Sequence, residues 1–214
     1  MNRQQLKAPE LAAVEVDVEG GDLSRGEVIL KGALAAGAIY GTAMVSPFVR
    51  KALAMSESGD VGILNFALTL EYLETAFYAD VVKSGLFKGA ELETIRKFGR
   101  EEAEHVEALT AAVKQLGGKP APEPKAEFPL KSAKSVLELA GTVENLGAAA
   151  YLGQAPNIKS PEVLASALAI HSVEGRHAAV LNTLLGESIT PDGAFAKPAD
   201  VKTVLKSVEP FIVG

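Results

Sequence analysis

The chain has 214 residues, a formal net charge of -6, and neither cysteine nor tryptophan. Its pI is near 5.2 and its longest basic run is a pair, so it lacks the electrostatic footprint of a nucleic-acid binder. The absence of cysteine excludes disulfides, zinc ribbons, iron-sulfur clusters and a thiol nucleophile, and 48% hydrophobic content rich in Ala, Leu, Val, Glu and Lys predicts one mostly helical domain with appendages.

Residues 1–23 are polar and acidic, with Glu10, Glu15, Asp17, Glu19 and Asp22, and read as a flexible leader. Val28 to Phe48 is apolar except for Lys31, and is followed by Arg50-Lys51 and Ala52-Leu53-Ala54. Ser24-Arg25, Ile29-Leu30-Lys31 and an A-x-A site before Met55 favour an export signal, and with it an exported or cell-envelope protein. Against this, Arg25 is followed by Gly26 rather than a second arginine, and Arg50-Lys51 puts positive charge on the wrong side. The alternatives are a cytoplasmic protein with a packed accessory helix, or one uncleaved membrane anchor.

Four long helical segments follow. The first runs from about Asp60, read as an N-cap, to Lys83, before Ser84-Gly85. The second begins near Ala90 and stops at Gly117-Gly118, a C-terminal signal. Four prolines between Pro120 and Pro129 forbid helix and predict an extended crossover. The third starts near Ser132 and ends around Gly153 to Pro156; the fourth opens with Ser160-Pro161-Glu162 and closes at Gly186. The tail carries a TPDG loop and a short helix over Val201 to Val208. The predicted fold is all-α: an antiparallel four-helix bundle over residues 55–186 with a long crossover between helices two and three. Residues 1–54 form the leader and signal-like or accessory helix, and 187–214 the tail.

Acids and histidines interrupt the apolar seams. In the second helix Ile95, Phe98, Glu102, His105, Leu109, Ala112 and Leu116 alternate three and four apart, so Glu102 and His105 point inward. Glu101 and Glu104 share a stripe with Thr94 and Lys97 and read as solvated charge. In the fourth helix the seam is Val163, Ala167, Ile170, Glu174, His177, Leu181 and Leu184. Each E-x-x-H pair presents a carboxylate and an imidazole on one face. Burying an unpaired carboxylate costs several kcal/mol unless a cation or hydrogen bonds compensate.

The first helix places Glu71 and Tyr78 in the seam Leu64, Leu68, Glu71, Thr75, Tyr78 and Val82; the third places Glu144 and Tyr151 in Leu137, Ala140, Glu144, Gly147 and Tyr151. Each half of the chain therefore reads E-x6-Y, then E-x-x-H, an internal repeat that predicts a pseudo-twofold axis. Glu74, on the neighbouring seam Ala67, Leu70, Glu74, Phe77 and Val81, is a rival to Glu71. The repeat favours Glu71 because Gly147 matches Glu74, which then reads as an inter-helix salt bridge or a supplementary acid. His171 lies off the seam and reads as structural. A metal-free polar network would leave four buried carboxylates facing only two imidazoles.

This set resembles the ligands of the ferritin-like di-iron carboxylate superfamily, which includes bacterioferritins, rubrerythrins and manganese catalases. The segment ILNFALTLEYLETAFY is similar to the branch containing bacterial stress proteins and plant desiccation-related proteins. The resemblance spans residues 58 to 186. It implies two metal ions, iron first and manganese as the alternative, with His105, His177, Glu71 and Glu144 terminal and Glu102 and Glu174 bridging. Tyr78 and Tyr151 would assist beside the metals by hydrogen-bonding the ligand carboxylates. The implied chemistry is ferroxidase or peroxidase-type oxidation with dioxygen or hydrogen peroxide, for iron handling or stress protection, with a redox partner of unknown identity and a homo-oligomeric assembly as accompaniments.

Rubrerythrins usually carry a cysteine-ligated electron-transfer module, which this chain cannot supply. Manganese catalases usually have a longer insertion than the one separating Glu102 from Glu144. The rival readings are a non-catalytic desiccation or stress-protection protein with a structural metal site, a manganese-catalase-like enzyme, and a hydroxylase needing an organic-substrate pocket beside the metals.

Overall fold

The computed structural model describes residues 59–213; the leader, the signal-like stretch and its A-x-A site lie outside the described residues. Among the described residues five helices follow one another: α1 (Asp60–Ser84), α2 (Gly89–Gln115), α3 (Ala133–Gln154), α4 (Pro161–Leu185) and α5 (Val201–Val208). Short 3-10 turns occupy Ala155–Asn157 and Glu209–Phe211. Among the described residues the only extended pairing is one isolated bridge, Ala126 to Ile212. No helix among them is long and apolar enough to cross a membrane.

Short connections make α1 and α2 one hairpin and α3 and α4 another. The hairpins face each other with α1 against α3 and α2 against α4, so all four seams meet along one axis. The long crossover that the prolines require joins the halves. It is anchored early by buried Asn65, whose amide donates to the Lys119 carbonyl while its oxygen accepts from the Ala121 N–H. Further on, the Glu127 N–H donates to the Phe211 carbonyl and the Val213 N–H to that of Lys125. The crossover is thus clamped by the C-terminal tail.

Helix boundaries follow from local chemistry. α2 ends in paired bonds, Gly118 N–H to the Val113 carbonyl and Gly117 N–H to that of Lys114, with Gly117 at φ 75°. This satisfies carbonyls the helix leaves open and needs a residue that tolerates a left-handed backbone. Ser132 and Ser135 cap α3 reciprocally, and the Ser160 hydroxyl accepts from the Val163 N–H above Pro161. Asp60 is a correction: Gly59 holds the cap position and Asp60 is the first helical residue. Its carboxylate instead accepts the N–H groups of Lys159 and Ser160 at 2.8 Å each, tying α1 to the α3–α4 connection.

The seams drift at their ends. Val113 is buried while Leu116 is exposed, and Leu181 is buried while Leu184 is exposed, because a straight helix of 3.6 residues per turn slips away from a strict three-and-four alternation. α1 departs most from a one-sided stripe: Leu64, Leu68, Glu71 and Tyr78 are buried, and so are Ala67, Leu70, Glu74, Phe77 and Val81. Its third face is covered by α5, where Val204, Leu205 and Val208 pack with Phe66, Leu70 and Leu73.

Candidate metal centre

The structure brings all six expected ligands together in two overlapping clusters. One is Glu71, Glu102, His105 and Glu174; the other is Glu102, Glu144, Glu174 and His177. In each, one ligand atom per residue lies within 4.8 Å of the others. Glu102 and Glu174 belong to both.

The tyrosines pair crosswise, and the two contacts are equivalent, as a pseudo-twofold axis requires. The Tyr78 hydroxyl on α1 donates to Glu144 on α3, and the Tyr151 hydroxyl on α3 donates to Glu71 on α1 at 2.5 Å. Both phenols are pushed well above their ordinary range, by burial first and then by the carboxylates they contact, so they remain donors. Phe98 stacks on His177 at 4.0 Å. Off the seam, His171 Nδ1 meets the Ala148 carbonyl at 3.0 Å, a structural contact.

Five carboxylates are buried here, Glu71, Glu74, Glu102, Glu144 and Glu174, and no lysine or arginine is buried among the described residues. Burial is the largest influence and disfavours charge. It pushes Glu71 up to about 8. With repulsion from neighbouring carboxylates it holds Glu74, Glu144 and Glu174 above the usual range. Burial also acts to raise Glu102, but contacts with His105, His177 and Glu71 outweigh it and hold that carboxyl near 2. For the imidazoles burial opposes the proton, and the surrounding carboxylates overcome it. His105 is raised to about 12 and His177 to about 10.

Protons on the imidazoles do not satisfy the cluster. Glu102 Oε1, Glu144 Oε2, both Glu174 oxygens and His177 Nδ1 are buried without a hydrogen-bond partner. Yet His177 Nδ1 lies 2.8 Å from Glu102 Oε1 and 3.3 Å from Glu144 Oε2. Donor atoms this close, and not aligned for hydrogen bonds to one another, could hold a metal ion between them. Oxygen and imidazole donors without sulfur suit iron, manganese or zinc. The donor set fits metal.

The ferritin-like domain family matches residues 59–187, which encompasses all four bundle helices and every one of these donors. The chain belongs to this ferritin-like family. No curated protein sequence matches it.

Two assignments read from the helical seams need correction. Glu74 forms no salt bridge among the described residues; it is 2% exposed and shares the space left open by Gly147 with Glu174, which agrees with the other alternative, an additional acid beside the cluster. Glu101 is not simply solvated. It pairs with Lys97 at 2.9 Å as its stripe suggested, but also accepts from His177 Nε2 at 2.9 Å. A signal for this was present: an inward histidine has a second ring nitrogen that needs a partner, and Glu101 adjoins the seam. An apolar cavity beside Tyr151, lined in part by Leu64, Ala67, Ile158 and Ala167, has a volume of about 20 Å³. That is room for about one water-sized molecule.

Proposed function

We propose that this ferritin-like chain binds two divalent metal ions, iron in the first place, and carries out ferroxidase or peroxide-type oxidation in iron handling or stress protection. The observation that supports it most is the pair of clusters sharing Glu102 and Glu174, with buried oxygens that no proton donor satisfies. His105 and His177 would be terminal ligands with Glu71 and Glu144, and Glu102 and Glu174 would bridge. An iron pair held there would supply one-electron redox chemistry toward dioxygen or peroxide.

The chain's own residues do the rest. Four ligand carboxylates balance two divalent charges. Tyr78 and Tyr151 hold Glu144 and Glu71 in orientation through their hydroxyls. Phe98, Leu68 and Leu181, all buried, line the bundle interior and keep water away from the carboxylates.

The test is metal content and oxygen consumption. Anaerobic reconstitution with ferrous ion is expected to give two ions per chain; fewer than about one would overturn the reading, given six oxygen and nitrogen donors. On ferrous addition the wild type is expected to consume oxygen faster than Glu102→Ala, which loses a carboxylate common to both clusters. Equal rates would favour the non-catalytic, structural-metal alternative.

A further inference from the structure

The two halves of the centre match in their ligands but not in what supports them. In one half, His177 is 3% exposed at its side chain. Its ring lies against Phe98, with 4.0 Å between centroids and 28° between planes. Its Nε2 is 2.9 Å from Glu101 Oε2. An ionised carboxylate only accepts, so Nε2 carries the hydrogen and Nδ1 is the atom turned toward Glu102 and Glu144. Glu101 is itself held by Lys97.

In the other half, His105 also turns Nδ1 inward, at 2.9 Å from Glu102 and 3.2 Å from Glu71, but its side chain is 12% exposed. The internal repeat puts Val173 where the first half has Glu101, and Ile170 where it has Phe98. Valine cannot accept a hydrogen bond, and isoleucine offers no ring face. Among the described residues, no carboxylate meets His105 Nε2 and no aromatic ring stacks on it.

We propose that Glu101 is a positioning residue which, with Phe98, presets His177 as a ligand and thereby makes the two metal positions unequal. The position formed by Glu102, Glu144, Glu174 and His177 takes a divalent cation first and more tightly. The position formed by Glu71, Glu102, His105 and Glu174 fills second and exchanges. The physical basis is that a ligand already held in its binding tautomer and orientation loses less freedom when the ion arrives. This rests on the two-metal reading above.

Anaerobic calorimetric titration of the full chain with Co²⁺ tests it. The wild type is expected to bind in two resolved steps. Glu101→Ala is expected to weaken the tighter step by roughly 10–100-fold and leave the weaker step unchanged. Glu101→Gln, whose amide oxygen still accepts from Nε2–H, is expected to recover most of that loss. Val173→Glu is expected to tighten the weaker step. Lys97→Ala, which leaves the Glu101 to His177 bond in place, is expected to keep two steps. Two ions bound in a single step, or a Glu101→Ala loss that is absent or falls equally on both steps, overturns the inference while leaving the two-metal reading intact. Fewer than two ions on the wild type overturns both. Because Glu101 is 29% exposed, the variants are expected to fold, which the unchanged weaker step confirms.

Discussion

Gly147 shows how much one missing side chain does at the centre of this protein. A Cβ there would lie 2.7 Å from Glu174 Oε2 and 3.0 Å from Glu74 Oε1, so the glycine is what admits two carboxylates to one side of α3. Both atoms are the ends of flexible side chains and can shift, and Ala is favoured over Gly within a helix by about 1 kcal/mol. Gly147→Ala is therefore expected to fold with unchanged or slightly higher thermal stability when metal-free. It is expected to bind metal about tenfold or more weakly, because the side chain that must move belongs to both candidate clusters. Equal affinity in a competition titration would contradict this. At this scale much was legible in advance. Glu71, Glu102, His105, Glu144, Glu174 and His177 interrupt their seams at positions that helical spacing turns inward. The fate of Glu74 was not, because α1 is buried on both of its candidate seams and spacing cannot choose between two buried faces.

Among elements, the clamp between the crossover, the tail and α3 carries the clearest steric demand. A Cβ on Gly153 would fall 2.0 Å from the carbonyl oxygen of Ala199, one residue before the cap of α5. The Ala199 N–H donates to the Ala149 carbonyl nearby. Here the obstacle is backbone, which cannot rotate away. Gly153→Ala is therefore expected to destabilise the protein by about 1–3 kcal/mol, read as a lower urea midpoint, through loosening of α5 from Phe66 and Leu73. An unchanged midpoint would mean the tail contributes little to stability. The prolines announced an extended crossover and the Val201 to Val208 pattern announced α5. Their mutual contact was not legible, since nothing in one segment's periodicity names the segment it will meet.

For the whole molecule, the proposed centre would couple metal, protons and folding. Without metal, the folded state holds protons that the unfolded chain releases: His177 and His105 are raised to about 10 and about 12 from 6.5, and Glu71 to about 8 from 4.5. A raised histidine contributes stability that is full below its unfolded value and lost as pH rises toward its folded one. A raised carboxyl likewise loses its contribution as pH rises through its folded value. Glu102, held near 2, acts oppositely but only in acid. Folded metal-free protein thus binds more protons than unfolded protein between about pH 6.5 and 8, so its stability falls as pH rises there. Metal binding expels these protons and removes the dependence. Calorimetric melting of the metal-free protein is expected to shift downward across that window, and the loaded protein to melt higher with little shift. A metal-free melting point that rises with pH would contradict the sign.

What the sequence by itself determined was the local part: four helices, their stops, the inward acids and histidines, and the internal repeat of E-x6-Y and E-x-x-H. These are readable because helical spacing and capping depend on residues a few positions apart. Only the tertiary structure decided that Asp60 reaches the α3–α4 connection rather than capping its own helix. It also decided that Glu74 is buried beside Gly147 and that Glu101 secures His177. Each of these depends on side chains from different helices coming within hydrogen-bonding or van der Waals distance, which is set by how the hairpins dock and not by any interval along the chain.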